Sequence, residues 1–407
     1  MDLAARWSLD PDVTFLNHGS FGACPREVLD VQAGLRDRLE AEPVRFLVRE
    51  LDDLLADARA ALGRFVGADP DDLAFVPNAT AGLNTVLRSL RFGPDDELLT
   101  VDHEYNAALN ALRFAANRDG ARVTVARVPF PLGEPGVVVE ALLAAVTPRT
   151  RLAMVSHVTS PTALVLPIGE IVARLAERGV DTLVDGAHAP GMIPLDLTGI
   201  GAAYYTGNGH KWLCAPKGTA FLHVRRDRQA AVRPLAISHG ANAPASDRAR
   251  FRLEADWTGT TDPTAHLSIP AAIAFGGTLR PGGWPATMAA NRELALTARD
   301  GLCAALGIDP PAPDAMIGSM ASLPIPGPVA APDHDPLGTR LFERHRIEVP
   351  VGGFPVPAAL EPGRGPGRRT VRISAAPYNR ADQYERLADA LLVELEAEAT
   401  LRRRDGR

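Results

Sequence analysis

Apolar residues fall along this chain in short runs separated by longer stretches with helical spacing. The runs Leu73–Val76, Glu97–Val101, Val123–Val128, Leu152–Ser156, Asp181–Val184, Ala202–Tyr205 and Thr219–Val224 read as buried strands. Among them, Ala81–Ser89, Ala107–Asn117, Val137–Val146 and Ile168–Arg178 place apolar residues three and four apart, as helices with one buried face do. Strand and helix in alternation predict an α/β fold built on a doubly wound, mainly parallel sheet. In such sheets ligands gather beyond the carboxyl ends of the strands. After Pro263 the texture changes. Gly and Pro become dense around Arg280–Pro285, Asp309–Pro313 and Glu361–Gly367, with helical patterns at Ala286–Leu306 and Asp382–Leu401. The pattern predicts a large domain over residues 1–265 and a smaller α+β domain over 266–407.

Composition narrows the partners. The formal net charge of −6 comes without a basic stripe, which argues against a nucleic-acid partner. No segment approaches the roughly 20 apolar residues of a membrane span, so no membrane association is expected. Cys24, Cys214 and Cys303 have no metal-ligand spacing. They fit a reduced, cytoplasmic protein without a metal site.

The residues with chemical potential all fall at predicted strand ends: Asn78-Ala79-Thr80, His103-Glu104-Tyr105, Ser156-His157, Asp185 and His210-Lys211. Lys211 lies between Gly209 and Trp212, where desolvation lowers an amine's pKa and lets it attack a carbonyl. Asp185 ends the Leu-Val run before Gly186-Ala187-His188, and a carboxylate there suits a protonated ring nitrogen. An amine and a carboxylate so placed are the pair that pyridoxal 5'-phosphate needs. His188 is then positioned for the phenolic oxygen of that ring. Asn78-Ala79-Thr80-Ala81-Gly82 follows a strand and opens a helix, which makes it a phosphate cup or an ordinary helix cap. Tyr105 is a candidate to stack on the ring, while His103 and Glu104 read equally well as exposed loop residues. His157 reads either as a cofactor contact or as a core histidine. Arg372, in an alternating strand, implies a carboxylate partner, either in the substrate or in the protein.

Taken together these segments resemble the class V branch of fold-type I pyridoxal-phosphate enzymes, and the isopenicillin N epimerase-like group within it. The likeness rests on Phe15-Leu16-Asn17-His18-Gly19-Ser20-Phe21-Gly22, Ser156 to Thr162, Asp185 to Gly191, Gly209 to Leu213, and Arg372-Ile373-Ser374 followed by Tyr378-Asn379. It implies that Lys211 carries the cofactor, Asp185 pairs with its ring nitrogen and Tyr105 stacks on it. Ala79, Thr80, Thr206 or Asn208, and His210 would hold the phosphate, with His157 and His188 nearby. Arg372, Asn17 and His18 would meet the substrate. A homodimer with shared active sites follows, in which Thr260 of Gly259-Thr260-Thr261 completes the partner's phosphate site. The implied activity is epimerisation at Cα of an amino-acid-type substrate, with C–S lyase and aminotransferase chemistry as alternatives. Two departures stand out. The stretch Val351–Arg369, where related desulfurases keep a nucleophilic cysteine, has none, and His18 stands where a small residue is expected.

Overall fold

The computed structural model describes residues 3–244, 248–329, 335–355 and 367–404. Residues 356–366, within the cysteine-free stretch named above, lie outside them. Among the described residues, twelve strands form three sheets. They are β1 (Thr14–Phe15), β2 (Leu73–Val76), β3 (Glu97–Val101), β4 (Arg122–Ala126), β5 (Thr150–Ser156), β6 (Asp181–Asp185), β7 (Tyr204–Asn208), β8 (Ala220–Val224), β9 (Met320–Pro324), β10 (Ile347–Glu348), β11 (Val351–Phe354) and β12 (Arg368–Ser374). The main sheet runs β2-β8-β7-β6-β5-β3-β4 and is parallel except for β8, which is antiparallel to both neighbours. Its central strands are buried over nearly all their length, which is why they appear in sequence as largely apolar runs. One apolar core covers each face of this sheet, and the larger continues under the three-stranded antiparallel sheet β11-β12-β9. Two long helices, Gly283–Leu306 and Ala381–Arg404, pack against each other beside that second sheet.

The strand expected at Ala202–Tyr205 is displaced toward Tyr204–Asn208. Its antiparallel ladder with β8 continues through Gly207↔Phe221 and Asn208↔Ala220, so pairing carries the strand past its apolar part. That extension sets Asn208 and the Lys211 turn at the sheet's carboxyl edge.

The N-terminal segment crosses the molecule. β1 pairs in parallel with β10, and the short helix His18–Phe21 follows at once. Gly22 then passes so close to the Lys211 turn that a Cβ there would meet the His210 carbonyl at 2.1 Å, and its φ of 69° favours glycine besides.

Candidate active site

A cleft of about 470 Å³ opens at the carboxyl ends of β5, β6 and β7, and their last residues Ser156, Asp185 and Asn208 all line it. Lys211 reaches it from the turn after β7, where the amides of Gly209 and His210 donate to the Thr219 carbonyl. Its Nζ lies 3.2 Å from His188 Nε2. Asp185 is buried and accepts a hydrogen bond from the Ala187 amide at 2.9 Å.

The helix Ala79–Ser89 begins at the cleft. Asn78 Oδ1 takes the Ala81 amide and Asn208 Oδ1 takes the Ala79 amide, both at 2.8 Å. Among the described residues the Thr80 amide has no partner. His210 lines the same cleft, with Nδ1 engaged by the Thr219 carbonyl at 3.0 Å and Nε2 left over. A free amide and hydroxyl at a helix start, beside a free ring nitrogen, form a cradle suited to phosphate.

Arg372 enters from β12 and is largely buried. It donates to the Ser160 carbonyl at 2.8 Å, the Ser160 hydroxyl at 3.0 Å and the Ser20 hydroxyl at 3.0 Å, while its Nε has no partner. No carboxylate pairs with it among the described residues. A buried guanidinium with no carboxylate beside it among the described residues suits an anion brought by a ligand.

Charge in the cleft follows burial. Burial first, then Arg372, bring the Lys211 amine down to about 7, with Asp185 opposing. Burial pushes the Asp185 carboxyl up, so a cation beside it, such as a protonated ring nitrogen, would relieve it. Glu104 is buried rather than exposed. Its carboxylate accepts the Ser156 amide at 2.5 Å and hydroxyl at 2.8 Å, and burial with the Asp185 charge raises it to about 8. His103 is likewise internal, against Thr162 and the Val128 carbonyl. Burial holds Arg372 at about 10, still cationic near neutral pH.

Lys211, Asp185, His188, Ala79, Thr80, Tyr105 and His210 thus line one cleft, and Arg372 is joined to it through Ser20 and Ser160. Four residues expected there sit elsewhere. Thr206 lies beneath the helix, its hydroxyl donating to the Phe221 carbonyl at 2.9 Å, and Asn208 takes the place at the cleft. His157 is a core histidine bonded to the Tyr205 hydroxyl at 2.9 Å. His18 is buried behind the Lys211 turn with both ring nitrogens engaged and does not line the cleft. Asn17 stands one step back, bridging Glu348 and Ser20. Thr260, expected at the partner's phosphate site, is exposed.

Sequence reading passed over Ser20, Ser160 and Lys217. Lys217 lines the cleft and donates to the Gly22 carbonyl at 3.0 Å. A signal for it existed: the chain has only two lysines, 211 and 217, and every other basic side chain among its 43 is arginine.

Residues 23–387 match the aminotransferase class-V family. The chain is 40% identical to an isopenicillin N epimerase from Amycolatopsis lactamdurans, over 94% of this chain and 96% of that protein. It is 32% identical to a probable L-cysteine desulfhydrase from Arabidopsis thaliana, over 94% of this chain and 83% of that protein. In fold it is similar to a cysteine desulfurase from Escherichia coli, with a TM-score of 0.78, 22% identity, and coverage of 97% of this chain and 98% of that one. Among the described residues no helix is long and apolar enough to cross a membrane.

Proposed function

The chain belongs to the aminotransferase class-V family and is an enzyme that works with pyridoxal 5'-phosphate; within that family we propose that it inverts Cα of an amino acid, free or within a larger molecule. The observation that carries this reading is Arg372, a buried guanidinium with no anion beside it among the described residues, next to a cleft that already holds an amine and a carboxylate. An α-carboxylate is the group its planar fork would take.

When bound, pyridoxal phosphate supplies an electron-poor ring that accepts the electron pair left at Cα when a proton departs. Asp185 would keep the ring nitrogen protonated, and His188 would meet the phenolic oxygen. Ala79, Thr80, Asn208 and His210 would hold the phosphate. Lys211 would carry the cofactor and then, released as a free amine, move the Cα proton on one face. Inversion also needs an acid on the other face. Of Tyr105, His18 and His157, only Tyr105 lines the cleft, so its phenol takes that role in this reading.

A C–S lyase is the second reading, supported by the desulfhydrase-type relative. Desulfurase chemistry through a protein persulfide is not supported. Cys24 and Cys214 stand outside the cleft lining, and burial pushes both thiols up to about 12. Incubation with candidate amino acids in deuterated water separates the readings. Deuterium at Cα in both configurations is expected; pyruvate with a sulfur product, and no inverted amino acid, would give the lyase reading instead.

Arg372→Ala should raise KM for the amino acid roughly ten- to a hundred-fold, the worth of charge-assisted hydrogen bonds, with cofactor occupancy unchanged. Lost occupancy with an ordinary KM would make Arg372 a structural residue. We extend the proposal to a cytoplasmic homodimer in which exposed Thr260 reaches the partner's phosphate, and to a boundary near residue 265 between cofactor-carrying and smaller domains.

A further inference from the structure

Two histidines flank Lys211, and their hydrogen bonds fix where each proton sits. His18 Nε2 lies 3.0 Å from the Lys211 main-chain carbonyl, and Nδ1 lies 2.7 Å from the Tyr378 hydroxyl. A carbonyl only accepts, so neutral His18 carries its proton on Nε2 and accepts from Tyr378. His188 is set from its other side. The indole N–H of Trp212, which can only donate, lies 3.4 Å from His188 Nδ1. That nitrogen must be bare, so the proton of the neutral ring is on Nε2, 3.2 Å from Lys211 Nζ. An N–H facing Nζ suits an amine with its lone pair and opposes an ammonium, which has none. We infer that Trp212 is a positioning residue that fixes the His188 tautomer and so holds Lys211 as the free base, fit to capture the cofactor and later to take a proton from Cα.

The surroundings agree. Trp212 and His188 are buried, so water does not compete for the bond between them. His188 is kept well below its ordinary pKa chiefly by burial, which leaves it neutral. His18 and His210, also near, are lowered to about 4, chiefly by burial. Arg372 and Lys217 are the neighbouring cations, and the Asp185 charge opposes them by favouring the ammonium.

The test uses Trp212→Phe, which keeps an aromatic ring beside His18, where the two rings now lie 4.7 Å apart, and deletes only the N–H. With Nδ1 released, His188 can present a bare Nε2 to Lys211 and accept from an ammonium, so the charged form gains. Capture of pyridoxal phosphate by the cofactor-free protein is followed by visible absorbance across pH, as the ratio of variant to wild type. Wild-type capture should rise through a midpoint near 7. In Trp212→Phe that midpoint should move up by about one pH unit, the worth of one hydrogen bond, making capture at pH 6.5 roughly tenfold slower. At pH 10 the two proteins should be equal. His188→Ala with Trp212 intact should also raise the midpoint, and adding Trp212→Phe to it should shift nothing further.

An unchanged midpoint, equal slowing at every pH, or a full extra shift without His188 would overturn the inference. It rests on Lys211 as the residue that takes the cofactor. A wild-type chain that captures none, or captures it elsewhere, defeats both; capture at Lys211 with equal midpoints defeats this inference alone.

Discussion

The Lys211→Ala protein should bind pyridoxal phosphate without fixing it and should turn over at least about ten-thousandfold more slowly than wild type. Two functions end with that one side chain: covalent attachment of the cofactor, and movement of the Cα proton. The phosphate cradle at Ala79, Thr80, Asn208 and His210 remains, so dialysis should remove cofactor slowly rather than at once. Lys217 is the other lysine within the cleft, but its Nζ is drawn to the Gly22 carbonyl at 3.0 Å. Denaturation of Lys211→Ala after borohydride treatment should release all of the cofactor. A variant within tenfold of wild-type activity would show that another group does this work.

Asp185→Asn should retain attachment through Lys211 and lose turnover by roughly a hundred- to a thousandfold, the range for removing one electrostatic group from a buried site. Asparagine keeps the shape and still accepts the Ala187 amide, but it cannot stabilise a proton on the ring nitrogen. The fold should not suffer. Burial raises the Asp185 carboxyl above its unfolded value, so its ionised form is costly in the cofactor-free chain at neutral pH. That cost is absent below the unfolded pKa and grows as pH rises, and asparagine removes it. The melting temperature of cofactor-free Asp185→Asn at pH 7 should therefore equal or exceed that of wild type. Near-normal turnover in this variant would remove Asp185 from the mechanism.

Much of the main sheet was legible because its strands are buried on both faces and therefore write themselves as apolar runs. The helices Arg26–Ala41 and Leu51–Val66 were not read from periodicity. The first buries only Val28 and Gln32, too little to leave an apolar stripe. Lys211, Asp185 and His188 were legible because small residues surround them at strand ends. Placement beyond that depended on tertiary contacts. Whether Thr206 or Asn208 reaches the cleft turns on where β7 stops, and the ladder with β8 decides that. His18 was assigned a substrate by its neighbours in sequence, yet Tyr378, 360 residues away, holds its ring. Ser20 and Ser160 gave no local sign of anchoring Arg372, since the three come from distant parts of the chain.

The most direct test uses the wild-type protein with two lysines as its only candidates. The cofactor-loaded enzyme is reduced with borohydride, digested, and its peptides are weighed. The account predicts a pyridoxyl-phosphate mass on the peptide containing Lys211 and an unmodified Lys217. Label on Lys217, or a chain that gains no mass at all, would contradict it.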